Sequence, residues 1–271
     1  MNRMRETPSI VRIPSFDDVL STEHLIPHFQ PIVTMKGGPS VYGYEALARL
    51  QFSTPPVDTE FLFLYAERKE RIADLDLFCI ANSLAHGARL AESGYLFLNL
   101  HPHVLGHHDR LLRTLESAAA QSSVPLDRVV LEITEQGSIS DTARLTETIE
   151  ALRALGLRFA LDDVGVAYSH LALIGRIRPS FLKISQHFGT GFETDSTKRK
   201  IIENIISLAN DFECETILEG IETPATARAA YEIGIPLAQG YHYRRPSEAA
   251  QILSSPLNPE VLPAVDGWTE N

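Results

Sequence analysis

Two adjacent aspartates, Asp162 and Asp163, end the apolar run in RFALDDVG and precede a glycine. A short apolar run bounded by a turn signal reads as a buried strand, and its end is a costly place for two unpaired acids. Past a strand end the chain can turn both carboxylates toward one pocket, where they repel and call for a cation between them. A single Asp at such a place serves equally well as a helix cap. Repetition decides between the two, because other apolar runs end in Glu45, Asn99, Glu132, Lys183, Glu219 with Glu222, and Gln239. Gathered together, these residues make an oxygen-rich set that requires neither Cys nor His, which suits Mg2+, Mn2+ or Ca2+ rather than structural zinc. So many acids beside one lysine need cations to share a pocket. There are ligands enough for two ions, which a bridging carboxylate such as Asp162 would hold about 3.5–4 Å apart, the spacing that clamps an in-line phosphoryl displacement.

The elements that must position these groups follow from the apolar pattern. HFQPIV and VYGYEALARL flank the turn MKGGPS, so the first two strands form an antiparallel hairpin. The second strand is expected to end at Glu45, with Arg49 one turn later. Thereafter YLFLNL, VVLEITE, RFALDD, FLKIS, TILEGIE and LAQGYHY alternate with amphipathic segments such as DRLLRTLESAAAQ and KRKIIENIISLANDF. Thr223 followed by Pro224 marks a helix start, and Gly156 and Gly234 mark helix ends. This is the βα repeat of an α/β protein with a largely parallel sheet. About eight such units close naturally into a barrel whose polar strand ends meet at one mouth. An open doubly wound sheet is the alternative, but the Gly-rich phosphate loop expected after its first strand is absent. The expected organisation is a lead-in over residues 1–22 with a short helix near Phe16 to Leu20, a barrel over 23–250, and a tail over 251–271.

Composition narrows the function. With 44% hydrophobic and 22% charged residues the chain is that of a soluble globular protein, and a net charge of −11 excludes a broad face for a nucleic-acid polymer. Cys79 and Cys214 form no CxxC pattern and read as reduced core thiols. No apolar signal-peptide core follows the start MNRMRETPSI and no apolar run reaches bilayer length, so a cytoplasmic protein without a membrane segment is expected.

The residues collected above, with Glu45-Ala46-Leu47 and the following Arg49, resemble the EAL domain family of cyclic di-GMP phosphodiesterases over about His28 to Pro246. The resemblance implies a modified TIM (β/α)8 barrel with an antiparallel first strand, in agreement with the hairpin. It implies that Glu45, Asn99, Glu132 and Asp162 hold one metal ion, and that Asp162, Asp163 and Glu222 surround a second. Lys183 is similar to the lysine that orients or activates the water, and Glu219 to the carboxylate proposed as general base. Arg49 is similar to a phosphate-contacting arginine and Gln239 to a ligand-positioning amide, with Leu47 and Tyr241 as further substrate contacts. Glu135 matches a glutamate that anchors the loop after the paired aspartates. The implied cofactors are two ions of Mg2+ or Mn2+, with Ca2+ inhibitory. The implied reaction is hydrolysis of cyclic di-GMP to linear pGpG by metal-activated water, in a homodimer.

The chain departs from the family pattern in two places. The family loop DDFGTGYSSL stands here as DDVGVAYSHL, which changes Val164, Val166, Ala167 and His170. Ala167 restricts φ where the family has Gly, and Val166 lacks a hydroxyl. The lysine motif KID stands here as Lys183-Ile184-Ser185, without its acid. Three functions follow: an active phosphodiesterase, a silent or weak domain acting as a cyclic di-GMP receptor, or a protein-interaction module. Retention of every metal ligand favours the first. Tyr241 and Tyr243 fit either a guanine stack or rim packing. HPHVLGHHDR holds His101, His103, His107 and His108 at spacings that match no common zinc pattern, and it is expected to be a polar loop, with His101 close enough to Asn99 to face the mouth.

Overall fold

A computed structural model describes residues 16–21, 24–35, 40–51, 59–134, 142–166, 170–255 and 257. Eight strands form a closed barrel in sequence order: β1 (Leu25–Thr34), β2 (Val41–Leu50), β3 (Tyr95–Leu100), β4 (Val129–Ile133), β5 (Arg158–Val164), β6 (Phe181–Ile184), β7 (Glu215–Leu218) and β8 (Leu237–Gln239). β1 runs antiparallel to both neighbours, β2 and β8, and the remaining pairs are parallel. The barrel and its reversed first strand are thus those expected from the sequence.

Strand β1 carries Pro27 and Pro31 inside a barrel wall, where a missing N–H should break the ladder. Phe29, of the same parity, pairs away from β2, exchanging hydrogen bonds with Ser247 at 2.7 and 3.1 Å. The two proline nitrogens therefore point to the side where the short β8 pairs only with Ile32 to Thr34, and the β1–β2 ladder stays intact. One expectation is corrected: β2 does not end at Glu45 but continues to Leu50, with Arg49 opposite Ile26. Pairing with β1 overrides the helical preference of Glu-Ala-Leu-Ala-Arg.

The helices are α1 (Phe16–Val19), α2 (Thr59–Arg68), α3 (Ile72–Ala91), α4 (His108–Ser122), α5 (Thr142–Ala154), α6 (His170–Ile177), α7 (Gln186–Gly189), α8 (Ser196–Asp211), α9 (Pro224–Glu232) and α10 (Ala249–Ser254). The Thr223 hydroxyl caps α9 by accepting from Thr226 N–H, and Gly156 and Gly234 have φ of 93° and 84° past α5 and α9. Helix α10 spans residue 250 and buries Ile252. One apolar core lies between strands and helices and a second fills the barrel interior. Among the described residues no helix is long and apolar enough to cross a membrane.

Candidate active site at the barrel mouth

The interior core consists of Ile32, Phe97, Val130, Ala160, Phe181, Ile217 and Leu237, one from each of seven strands. Side chains alternate along a strand, so the residue two positions away faces the same interior one step along the barrel axis. Those residues are Gln30, Asn99, Glu132, Asp162, Lys183, Glu219 and Gln239. On the remaining strand, β2, Gly43 stands below Glu45. Glycine is needed there because a Cβ would lie 2.7 Å from Tyr95 O and 2.8 Å from the Phe97 ring. A polar layer thus rests on an apolar plug, and period two alone places it there.

Lys183 is fully buried at the centre of this layer. Its Nζ lies 3.3 Å from Glu45 Oε2, 3.0 Å from Glu132 Oε1, 3.3 Å from Asp162 Oδ1 and 3.0 Å from Glu219 Oε1. Burial opposes its charge, but the carboxylates, led by Asp162, outweigh burial and raise its pKa well above the ordinary value. The lysine is a fixed cation. One ammonium cannot satisfy four acids. Burial raises the pKa of Glu132 well above the usual carboxylate range, raises that of Asp162, and pushes Glu219 up to about 8, against the opposing pull of Lys183. Glu45 alone goes down: burial opposes this, but Lys183 and the amides of Gln239 and Asn99 outweigh it.

This donor set fits divalent cations. Glu132 Oε2 accepts from Lys183 Nζ at 3.1 Å, whereas the buried Oε1 lies close to the same nitrogen without a hydrogen bond. Gln239 Oε1 is likewise buried and without a partner. Asn99 Nδ2 makes only long contacts of 3.4 Å to Glu45 Oε1 and Ala46 O. Unsatisfied oxygens around an excess of negative charge are what hard cations require. No three His, Cys, Asp or Glu among the described residues make a ready metal cage, the Lys183 ammonium standing among the acids instead.

The paired aspartates separate at the end of β5. The β5–β6 register shifts between Leu161 and Val164, and Asp163 takes φ of 54°. This bulge aims Asp162 at Lys183 and leaves Asp163 exposed, with Asp163 N–H donating to Asp162 Oδ1 at 3.0 Å. Asp163 and Glu222 line a cavity of about 290 Å3 with Glu219, Gln239 and Tyr241. A second cavity of about 570 Å3 is lined by Leu98, Asn99, His101, Phe63 and Asp76. Glu45, Leu47, Arg49, Asp162 and Gln186 line both. Tyr241 is 49% exposed with the Arg245 guanidinium 4.1 Å from its ring centre, whereas Tyr243 is buried beside Met35.

Three groups were not legible as site residues. Gln30 accepts from Gln239 Nε2 at 3.0 Å and donates to Arg244 O at 3.0 Å, which orients the amide that donates to Glu45 Oε2. Asp76 accepts the His101 N–H at 2.9 Å, and burial pushes its carboxyl up to about 7. Gln30 is a lone polar residue in an apolar run and Asp76 follows Asp74 by two positions in a helix, the only sequence signals they give. The third, Gln186, follows Ser185, whose buried hydroxyl caps α7 by accepting from His187 N–H at 3.4 Å. Val164 is buried and Val166 is 58% exposed; Glu135 and Ala167 lie outside the described residues, and His170 opens α6.

A family model described as EAL domain matches residues 15–246. The cyclic di-GMP phosphodiesterase RocR of Pseudomonas aeruginosa is 30% identical over 245 residues, covering 88% of this chain and 62% of that protein. The bifunctional diguanylate cyclase/cyclic di-GMP phosphodiesterase MucR of the same organism is 27% identical, covering 87% of this chain and 35% of that protein. The chain therefore spans less than two thirds of the length of either relative. Among solved structures, the PaMucR phosphodiesterase complex with c-di-GMP superposes with a TM-score of 0.73 at 28% identity, covering 84% of this chain and 99% of that one. The manganese/cy-diGMP complex of Klebsiella pneumoniae BlrP1 gives 0.72 at 27% identity, covering 82% and 56%. With the reversed first strand and the acids gathered round one lysine, the match over residues 15–246 establishes that the chain belongs to the EAL domain family.

Proposed function

We propose that this EAL domain hydrolyses cyclic di-GMP to linear pGpG with divalent cations held at the barrel mouth. The observation that carries the reading is the buried Lys183 among Glu45, Glu132, Asp162 and Glu219, where two cavities meet. Glu45, Asn99, Glu132 and Asp162 would hold one ion, and Asp162, Asp163 and Glu222 a second. When bound, Mg2+ or Mn2+ supplies Lewis acidity to the phosphate and makes water acidic at neutral pH.

The protein side chains divide the remaining work. Lys183, held protonated, donates hydrogen bonds and cannot act as base. Glu219, whose carboxyl burial pushes up to about 8 before cations lower it, is the acid suited to take the proton of the attacking water. Arg49 and Gln239 position the phosphate, and Leu47 and Tyr241 flank the dinucleotide. Cyclic di-GMP places the activity in the cytoplasm, and a homodimer completes the reading.

Incubation of the purified protein with cyclic di-GMP and Mn2+ or Mg2+ tests the proposal. Production of pGpG, inhibited by Ca2+, is expected; failure to bind the dinucleotide overturns it. The receptor reading draws on Val166 and on Ser185, which caps a helix where the family has an acid. Tight binding without turnover is its signature, and Val166→Thr with Ala167→Gly should then raise the rate.

A further inference from the structure

Of the four histidines after β3, two meet. The segment Pro102–Gly106 winds as a 3-10 turn and α4 begins at His108, which places His103 and His107 one above the other. Their Nε2 atoms are 3.4 Å apart, with ring centres 5.2 Å apart and planes at 64°. The pair is within hydrogen-bond reach, but 3.4 Å is longer than the range of about 2.7–3.2 Å usual for an N–H donor to oxygen. Two imidazole nitrogens on one tetrahedral ion, each about 2.0–2.1 Å from it, stand about 3.3–3.4 Å apart. The observed separation is long for the first and right for the second.

The other two histidines are engaged elsewhere. His108 Nδ1 lies 3.0 Å from Thr148 Oγ1, and His101 Nδ1 accepts the His103 N–H at 3.2 Å. His103 is exposed and His107 partly so, which leaves the facing nitrogens accessible to ions from solvent. Burial, with His103, Arg110 and Arg144 nearby, holds the His107 pKa below its ordinary value despite Asp74, so its neutral, ligating form prevails at pH 7. Both carboxylate oxygens of Asp74 are taken by Arg71 and Arg110, and no third His, Cys, Asp or Glu among the described residues completes a cluster.

We propose that His103 and His107 form a two-histidine clamp for a borderline divalent transition cation, with Zn2+ as the type, separate from the oxygen-rich mouth. Imidazole pairs favour Zn2+, Ni2+ and Cu2+, whereas the carboxylates of the mouth favour Mg2+ and Mn2+. Water would fill the remaining positions. A bound ion would staple the turn after β3 to the start of α4.

The test is a calorimetric Zn2+ titration of tag-free protein whose mouth is saturated with Mg2+, for the wild type, His103→Ala and His107→Ala. One zinc site per chain is expected outside the mouth, weakened at least about tenfold by either substitution, the scale for disturbing a metal site. The same comparison in an Asp162→Ala background, where the mouth is disabled, should give the same loss. Zinc binding that is unchanged in both histidine variants, or absent from the wild type, overturns the proposal.

Discussion

Two layers of side chains inside the barrel sit one strand step apart and have opposite character. The lower layer holds the side chains of Ile32, Phe97, Val130, Ala160, Phe181, Ile217 and Leu237, all apolar; its rings Phe97 and Phe181 pack edge-on at 5.4 Å. The upper layer holds Glu45, Glu132, Asp162, Glu219 and Lys183 with three amides. The lower layer stabilises by burying apolar area, and each buried ring contributes several kcal/mol relative to a cavity. The upper layer costs stability, because ionised acids are desolvated around too few positive charges. Strand alternation lets one frame carry both, with the plug fixing the strands that hold the acids in place.

The largest effect that would break this contrast is on turnover. Removing an acid by Glu45→Ala or Asp162→Ala should cut pGpG formation by at least about 10²-fold, the scale for losing one preorganised electrostatic group. Freed of metal, Asp162→Ala should unfold no earlier than the wild type, since burial and the neighbouring acids disfavour its charge, whereas Glu45→Ala removes a carboxylate that Lys183 and two amides stabilise. An ordinary core residue would behave in the opposite way. Phe181→Ala in the lower layer should cost about 3–5 kcal/mol of stability in denaturant titration. Gly43→Ala should cost about 1–3 kcal/mol, because the added carbon meets the Tyr95 carbonyl and the Phe97 ring.

The smallest effect concerns pH. The Glu219 and Asp76 carboxyls are pushed by burial up to about 8 and about 7, above their ordinary values of 4.5 and 3.8, so the folded state binds protons more tightly than the unfolded one. Metal-free stability contributed by these groups is therefore present at low pH and is lost as pH rises through that window. Asp76→Asn should raise Tm at pH 8 by a few degrees and leave it nearly unchanged at pH 4, as read by thermal unfolding. Equal shifts at both pH values would remove the electrostatic account of the buried acid.

Much of this was legible because each mouth residue interrupts an apolar run. Asp162, Lys183 and Gln239 are such interruptions, and the period of two carries them to one level. The length of β2 was not legible, since Glu45 to Arg49 is helix-forming by propensity and only pairing with β1 extends it. Gln30 and Asp76 gave one polar residue each and no pattern. The meeting of His103 with His107 depends on a 3-10 turn running into a helix, in a segment whose Pro102 and Gly106 read as loop. Both aspartates were found, but their divergence rests on the β5 bulge and the left-handed backbone of Asp163, which pairing of β5 with β6 decides.

The most direct measurement of the central claim is a calorimetric titration of Mn2+ into metal-free protein at pH 8, repeated with Asp162→Ala. Binding at the mouth by the wild type, with a matching rise in Tm, and its loss in the variant are the expected results. Wild-type protein that neither binds Mn2+ nor gains stability from it, or a variant that binds it equally well, would contradict the account.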